Sequence, residues 1–126
     1  MNFLELIFAI LAGGVGAALR YGTTVLLPGK KDGFPLAIFI VNAAGSFLVG
    51  VITALLANSL LAPELGFVLV AGFCGGLTTM STFAVDSIER IRAGHWMAAG
   101  LNIVGSAAVG LLAVGGGYLL GGGPLS

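Results

Sequence analysis

The chain has 126 residues, of which 58% are hydrophobic and 8% charged, with five basic and five acidic side chains. A mean hydropathy of +1.12 excludes an ordinary soluble domain, and a net charge of zero offers nothing to nucleic acid. Length and composition together describe an all-α integral membrane protein with one domain over residues 1–126.

The charged residues fall in clusters: Glu5, Arg20, then Lys30, Lys31 and Asp32, then Glu64, then Asp86, Glu89, Arg90 and Arg92. The apolar stretches between them are long enough for helices of about 20 residues, the length that crosses a hydrocarbon core of roughly 30 Å. The first predicted span runs over residues 3–27. It lacks a basic leading region and outruns a signal peptide, so it reads as a retained helix. Arg20, about two turns from its end, can snorkel to the headgroups beside Tyr21. Pro28 and the LPGKKDGFP turn close this span and open the second, over 35–61. Asn42, Ser46 and Gly50 follow one another four residues apart there, forming one small, polar stripe.

The third span, 65–92, follows Pro63 and contains AGFCGGLTTMSTF at 71–83. Three glycines and four hydroxyl side chains in thirteen positions are poor helix formers. Gly72, Gly75 and Gly76 before Thr78 and Thr79 predict a break near the bilayer centre, where non-helical backbone is tolerated only against protein or a water-filled cavity. Such a break frees carbonyls for a cation and amides for an anion. After IRAGH at 91–95, with His95 and Trp96 as interface anchors, the fourth span covers 95–120. NIVGSAAVG at 102–110 repeats the NAAGSFLVG pattern of 42–50, so Asn102, Ser106 and Gly110 form a second stripe. Small residues four apart suit close helix packing, whereas a mid-helix Asn42 suits a transport site equally well. The short links predict antiparallel successive helices, both termini on one side and no extramembrane domain. A single cysteine, Cys74, excludes an internal disulfide.

GGVGAALRY at 13–21, N-x-x-G-S-F-x-x-G at 42–50, GFCGGLTTMSTF at 72–83 and the 102–106 run together resemble the Fluc (CrcB-type) fluoride channel family over nearly the whole chain. The resemblance implies a passive channel in the inner (plasma) membrane that exports fluoride from the cytoplasm. It implies an antiparallel, dual-topology dimer in lipid, with two pores and a central structural sodium ion. On the fluoride pathway it places Asn42, Ser81, Thr82, Phe83, Asn102 and Ser106. The amide and hydroxyls would replace fluoride's hydration, and the ring of Phe83 would offer its positive edge. The backbone carbonyls of Gly75 and Thr78 would hold the sodium ion. Arg20 has a vestibule role beside its snorkelling one. Asp86 stands either at the pore entrance or in a cluster with Arg90. Met80 departs from the family string, which usually has a second phenylalanine there; a thioether keeps the path narrow but offers no aromatic edge.

Three other functions are weighed against this one. A small proton-coupled drug exporter needs a carboxylate in the membrane. The first span offers only Glu5 at its very start, and the centres of all four spans have none. A purely structural subunit would explain the glycines but not a Gly-Thr-Ser break beside Asn stripes. No nucleophile, metal cluster or phosphate loop supports an enzyme. The basic residues Arg20, Lys30, Lys31, Arg90 and Arg92 all lie toward the side opposite the termini. The positive-inside rule would then fix one orientation, so a heterodimer with an oppositely oriented homologue stands beside the homodimer.

Overall fold

Asn2 begins the helical structure: its side-chain oxygen accepts from the Glu5 N–H at 2.8 Å, and the Glu5 carboxylate accepts from the Asn2 N–H at 3.4 Å. This reciprocal cap satisfies two of the donors a helix start leaves unpaired. In the computed structural model, which describes residues 2–27, 35–78 and 80–124 apart from the side chains of Met80, Ser81 and Thr82, helix α1 then runs over Phe3–Leu26. Helix α2, Leu36–Ala57, starts after Pro35 and stops short of the expected boundary at Leu61. Ser59 takes a left-handed φ of 57° there. Asn58 donates its Nδ2–H to the Gly122 carbonyl at 2.6 Å, tying this end to the C-terminal turn.

The third crossing is two pieces. Pro63, lacking the N–H that a first turn cannot use, opens α3 (Pro63–Phe67), which passes into a π-helix at Val68–Cys74 and a final α-turn, α4 (Gly75–Leu77). Thr78 is extended at φ −84°, ψ 157°, and the chain resumes as α5 (Met80–Arg92). The expected break therefore exists, but its position differs: Gly72, Gly75 and Gly76 remain helical and the chain leaves the helix at Thr78. A β-branched threonine tolerates extended backbone better than helix. Gly94, at a φ of 83°, turns the chain into α6 (Trp96–Leu120). Among the described residues all regular structure is helical. Helices α1, α2 and α6 are each long and apolar enough to cross a membrane.

The helical glycines do a different job. Gly72 and Gly76 face α1, where a Cβ on Gly72 would lie 3.0 Å from the Ala9 Cα and one on Gly76 would strike the Gly13 carbonyl. A Cβ on Gly16 would sit 2.7 Å from the Leu77 nitrogen. The second crossing contact is built alike: Gly50 meets Val114 and Tyr118, and Gly117 meets Phe47 and Val51. Lipid tails remove the usual hydrophobic drive for helix association, so backbone approach of this kind supplies much of the attraction. Both contacts are in rising register, Ala9 with Gly72 and Gly13 with Gly76, then Gly50 with Val114 and Ala54 with Gly121. The tight pairs are thus alternate crossings running parallel, α1 with the π-helix and α2 with α6, rather than the successive antiparallel neighbours that short links suggest. Much of the remaining surface is apolar, with Phe3, Leu26, Leu111 and Leu120 each more than 75% exposed.

Candidate functional site

Between α2, the broken crossing and α6 lies an open cavity of about 600 Å³. Asn42, Ser46, Thr78, Phe83 and Ser106 contribute to its wall, and among the described residues no charged side chain lines it. Asn42 and Ser46 come from the polar stripe of α2. Phe83 comes from the first turn of α5 and packs against the buried cluster of Ile38, Val41 and Leu77. The broken helix permits this meeting, because a continuous third crossing would send residues after Thr78 along the axis of α4.

Thr78 donates its hydroxyl to the Cys74 carbonyl at 2.9 Å, and its methyl covers Gly45, where a Cβ would strike it. Its hydroxyl proton is thus committed to the helix end, while its oxygen can still accept. Among the described residues no group of three or more His, Cys, Asp or Glu could hold a metal ion. The end of α4, like any helix C-terminus, presents carbonyls without intrahelical donors, and Gly75 is exposed on the protomer surface. Hard oxygen donors of this kind suit sodium.

Asn102 is placed differently from its expected pathway role. It is 1% exposed and does not line the cavity. Its Nδ2–H donates to Ser87 Oγ at 2.8 Å, and its Oδ1 accepts from the Ser106 hydroxyl at 3.3 Å. Two turns of α6 therefore part company with the α2 stripe: Ser106 reaches the cavity while Asn102 faces α5. Ser87, 4% exposed, donates onward to the Phe83 carbonyl at 2.9 Å. Asp86 and Arg90 do cluster, with Arg90 Nη1 donating to the Asp86 carbonyl at 3.1 Å and lying 4.0 Å from its carboxylate. Arg90 is 5% exposed, so its charge is held within the protein rather than in open solvent. Arg20 is half-buried on α1. The side chains of Met80, Ser81 and Thr82, the turn with Lys30 and Lys31, and Thr79 lie outside the described residues.

Ser46 and Ser87 carried no expected site role. Ser46 makes no hydrogen bond among the described residues and faces the space left by Gly110, where a Cβ would stand 3.7 Å from its Oγ. Its position four residues after Asn42 was the available signal. Nothing in the sequence marks Ser87, which stands in a stretch of mixed polarity.

The fold and cavity define a polytopic helical membrane protein with a mainly apolar cavity beside a broken helix, into whose wall Asn42 and a few hydroxyl side chains are set. The chain belongs to the CrcB family: the family described as "CrcB-like protein, Camphor Resistance (CrcB)" matches it over residues 7–118. It is 37% identical to the fluoride-specific ion channel FluC of Hydrogenobaculum sp. (strain Y04AAS1), an alignment covering 97% of this chain and 98% of that one. Against the FluC of Chlorobaculum tepidum the identity is 43% over 86% of this chain and 88% of the other. For the FluC of Pyrococcus abyssi it is 36%, covering 95% and 98%. These relatives are named as ion channels, not enzymes.

Proposed function

We propose that this protein is a fluoride-selective channel that lets fluoride leave the cytoplasm passively. The observation that bears most on this reading is the cavity wall, where the Asn42 amide and serine hydroxyls interrupt a mainly apolar lining that carries no charged side chain among the described residues. Fluoride is small and strongly hydrated, so a pore must replace water with close donors without trapping the ion. Asn42 is the principal donor, Ser46 and Ser106 extend the polar wall, and Phe83 offers its ring edge to the anion. We also assign Ser81, Thr82 and Met80 to the path on the strength of the family motif. Arg20 and Asp86 belong to the vestibules.

The open cavity and the exposed Gly75 favour completion by a second subunit. We assign this to an antiparallel homodimer in the inner membrane, with two pores. The carbonyls of Gly75 and Thr78 from both subunits hold a structural sodium ion at the contact, where it supplies a fixed positive charge that joins the broken helices.

Ion efflux from liposomes tests the reading. Purified protein should release fluoride rapidly without a proton gradient and retain chloride. Equal passage of both halides, or strict proton coupling, would replace the channel with another transporter class. Cells lacking the protein should become fluoride-sensitive in acidic medium, where neutral hydrogen fluoride enters and ionises inside; unchanged tolerance in a strain with no other exporter would remove the physiological role.

A further inference from the structure

Helix α5 follows a non-helical residue, is only 13 residues long and, among the described residues, rests mainly on α6. Yet it carries Phe83, and a rotation by one residue, about 100°, would swing that ring off the cavity wall. Apolar contacts with Ile38, Val41 and Leu77 hold the ring in place but are non-directional, so they set rotation poorly.

A directional constraint runs beside them. The Phe83 carbonyl can only accept, so Ser87 must donate to it, which leaves the Ser87 oxygen as acceptor for Asn102. The Asn102 amide is thereby oriented with Nδ2 toward α5 and Oδ1 toward Ser106, and the Ser106 hydroxyl must donate to it. Every polarity in this chain of bonds is dictated from one backbone carbonyl. Its two ends, Phe83 and Ser106, line the cavity, whereas its middle members Ser87 and Asn102 are buried off it. Burial makes an unpaired amide or hydroxyl costly, so α5 cannot rotate or slide on α6 without breaking the pair.

We propose that Ser87 and Asn102 form a buried latch that fixes the rotation of α5 on α6 and so positions Phe83 for selection of the anion. They are positioning residues that do not themselves touch fluoride. The inference rests on the channel reading above. It also explains why the Asn of α6 is turned away from the cavity while its counterpart Asn42 lines it.

The test compares fluoride and chloride efflux from liposomes for wild type, Ser87→Ala, Asn102→Ala and the reciprocal swap Ser87→Asn with Asn102→Ser. Each single variant should assemble like wild type by size-exclusion chromatography, yet lose fluoride efflux about tenfold and admit measurable chloride, while the swap should restore selectivity by rebuilding the bond in reverse. Ser87→Thr and Ser87→Val have equal bulk and differ in the hydroxyl, so any packing penalty cancels between them. The threonine variant should stay selective and the valine variant should not. Wild-type selectivity in Ser87→Val and in both alanine variants would overturn the latch, as would single variants that fail to assemble together with a Thr/Val pair of equal selectivity. A swap no better than the worse single variant would overturn it too. A wild-type protein that passes no fluoride would instead overturn the channel reading, and the inference with it.

Discussion

Asn42 and Asn102 have the same amide and similar sequence surroundings, but the fold places them in opposite settings. Asn102 is enclosed, bonded on both sides, and its worth is structural specificity. Asn42 is half-buried on the cavity wall, where an incoming anion can compete for its N–H groups. A hydrogen bond to a charged partner is worth about 1.5–3 kcal/mol, so Asn42→Ala should slow fluoride efflux roughly ten- to hundredfold. The variant should assemble normally, because Asn42 lies at none of the close glycine contacts that join the crossings. Undiminished flux in liposomes would remove Asn42 from the path.

At the scale of elements, the π-helix and the break divide the tasks of the third crossing. The Gly75 N–H bonds back to the Val70 carbonyl five residues earlier, widening the helix over Val68–Cys74. Such a segment rotates the residues that follow relative to a regular α-helix, and π-turns of this kind are commonly found at functional sites. Here the stretch ends with Gly72 and Gly76 against α1 and with Cys74, Gly75 and Thr78 on the cavity side. Gly76→Ala would drive a methyl into the Gly13 backbone, which cannot yield as a flexible side chain would. Overpacking of this sort costs about 1–3 kcal/mol. The variant should therefore unfold at lower temperature in detergent, while Gly100→Ala, whose Cβ meets nothing within 4 Å, should match wild type or exceed it. Equal thermal midpoints for the two variants would mean that α1 does not seat against the π-helix backbone as described.

The whole molecule has to reconcile its charge with its assembly. All five basic residues lie toward the side opposite the termini, a bias that would hold a single chain in one orientation. Glu64 is the one acidic residue near a span end on the terminal side apart from Glu5, and the bias rests on few charges. An antiparallel homodimer therefore requires insertion both ways. Tags on the termini should be accessible from both faces of the membrane when the chain is expressed alone. Access from one face only would defeat the homodimer and favour pairing with an oppositely oriented relative.

How much of this was legible in the sequence depends on how local the cause is. Apolar runs of spanning length, Pro63 before the third span and a weak point around Thr78 all follow from residues close in the chain, and the motif strings were enough to expose the family resemblance. Partner choice between helices was not legible. Gly13 and Gly76, or Phe47 and Gly117, are brought together by contacts across the bundle, and short connections pointed to successive neighbours such as α5 and α6 but not to these tighter alternate pairs. The same holds for the two asparagine stripes: one four-residue spacing describes both, and only the packing of α5 on α6 decides that Asn102 is sealed behind Ser87 while Asn42 stays on the cavity wall. The sequence by itself determined a membrane-spanning chain with a broken third crossing and a set of polar side chains at helical spacing. The tertiary structure decided which of those side chains meet, because a helix face acquires its chemical role from what packs against it.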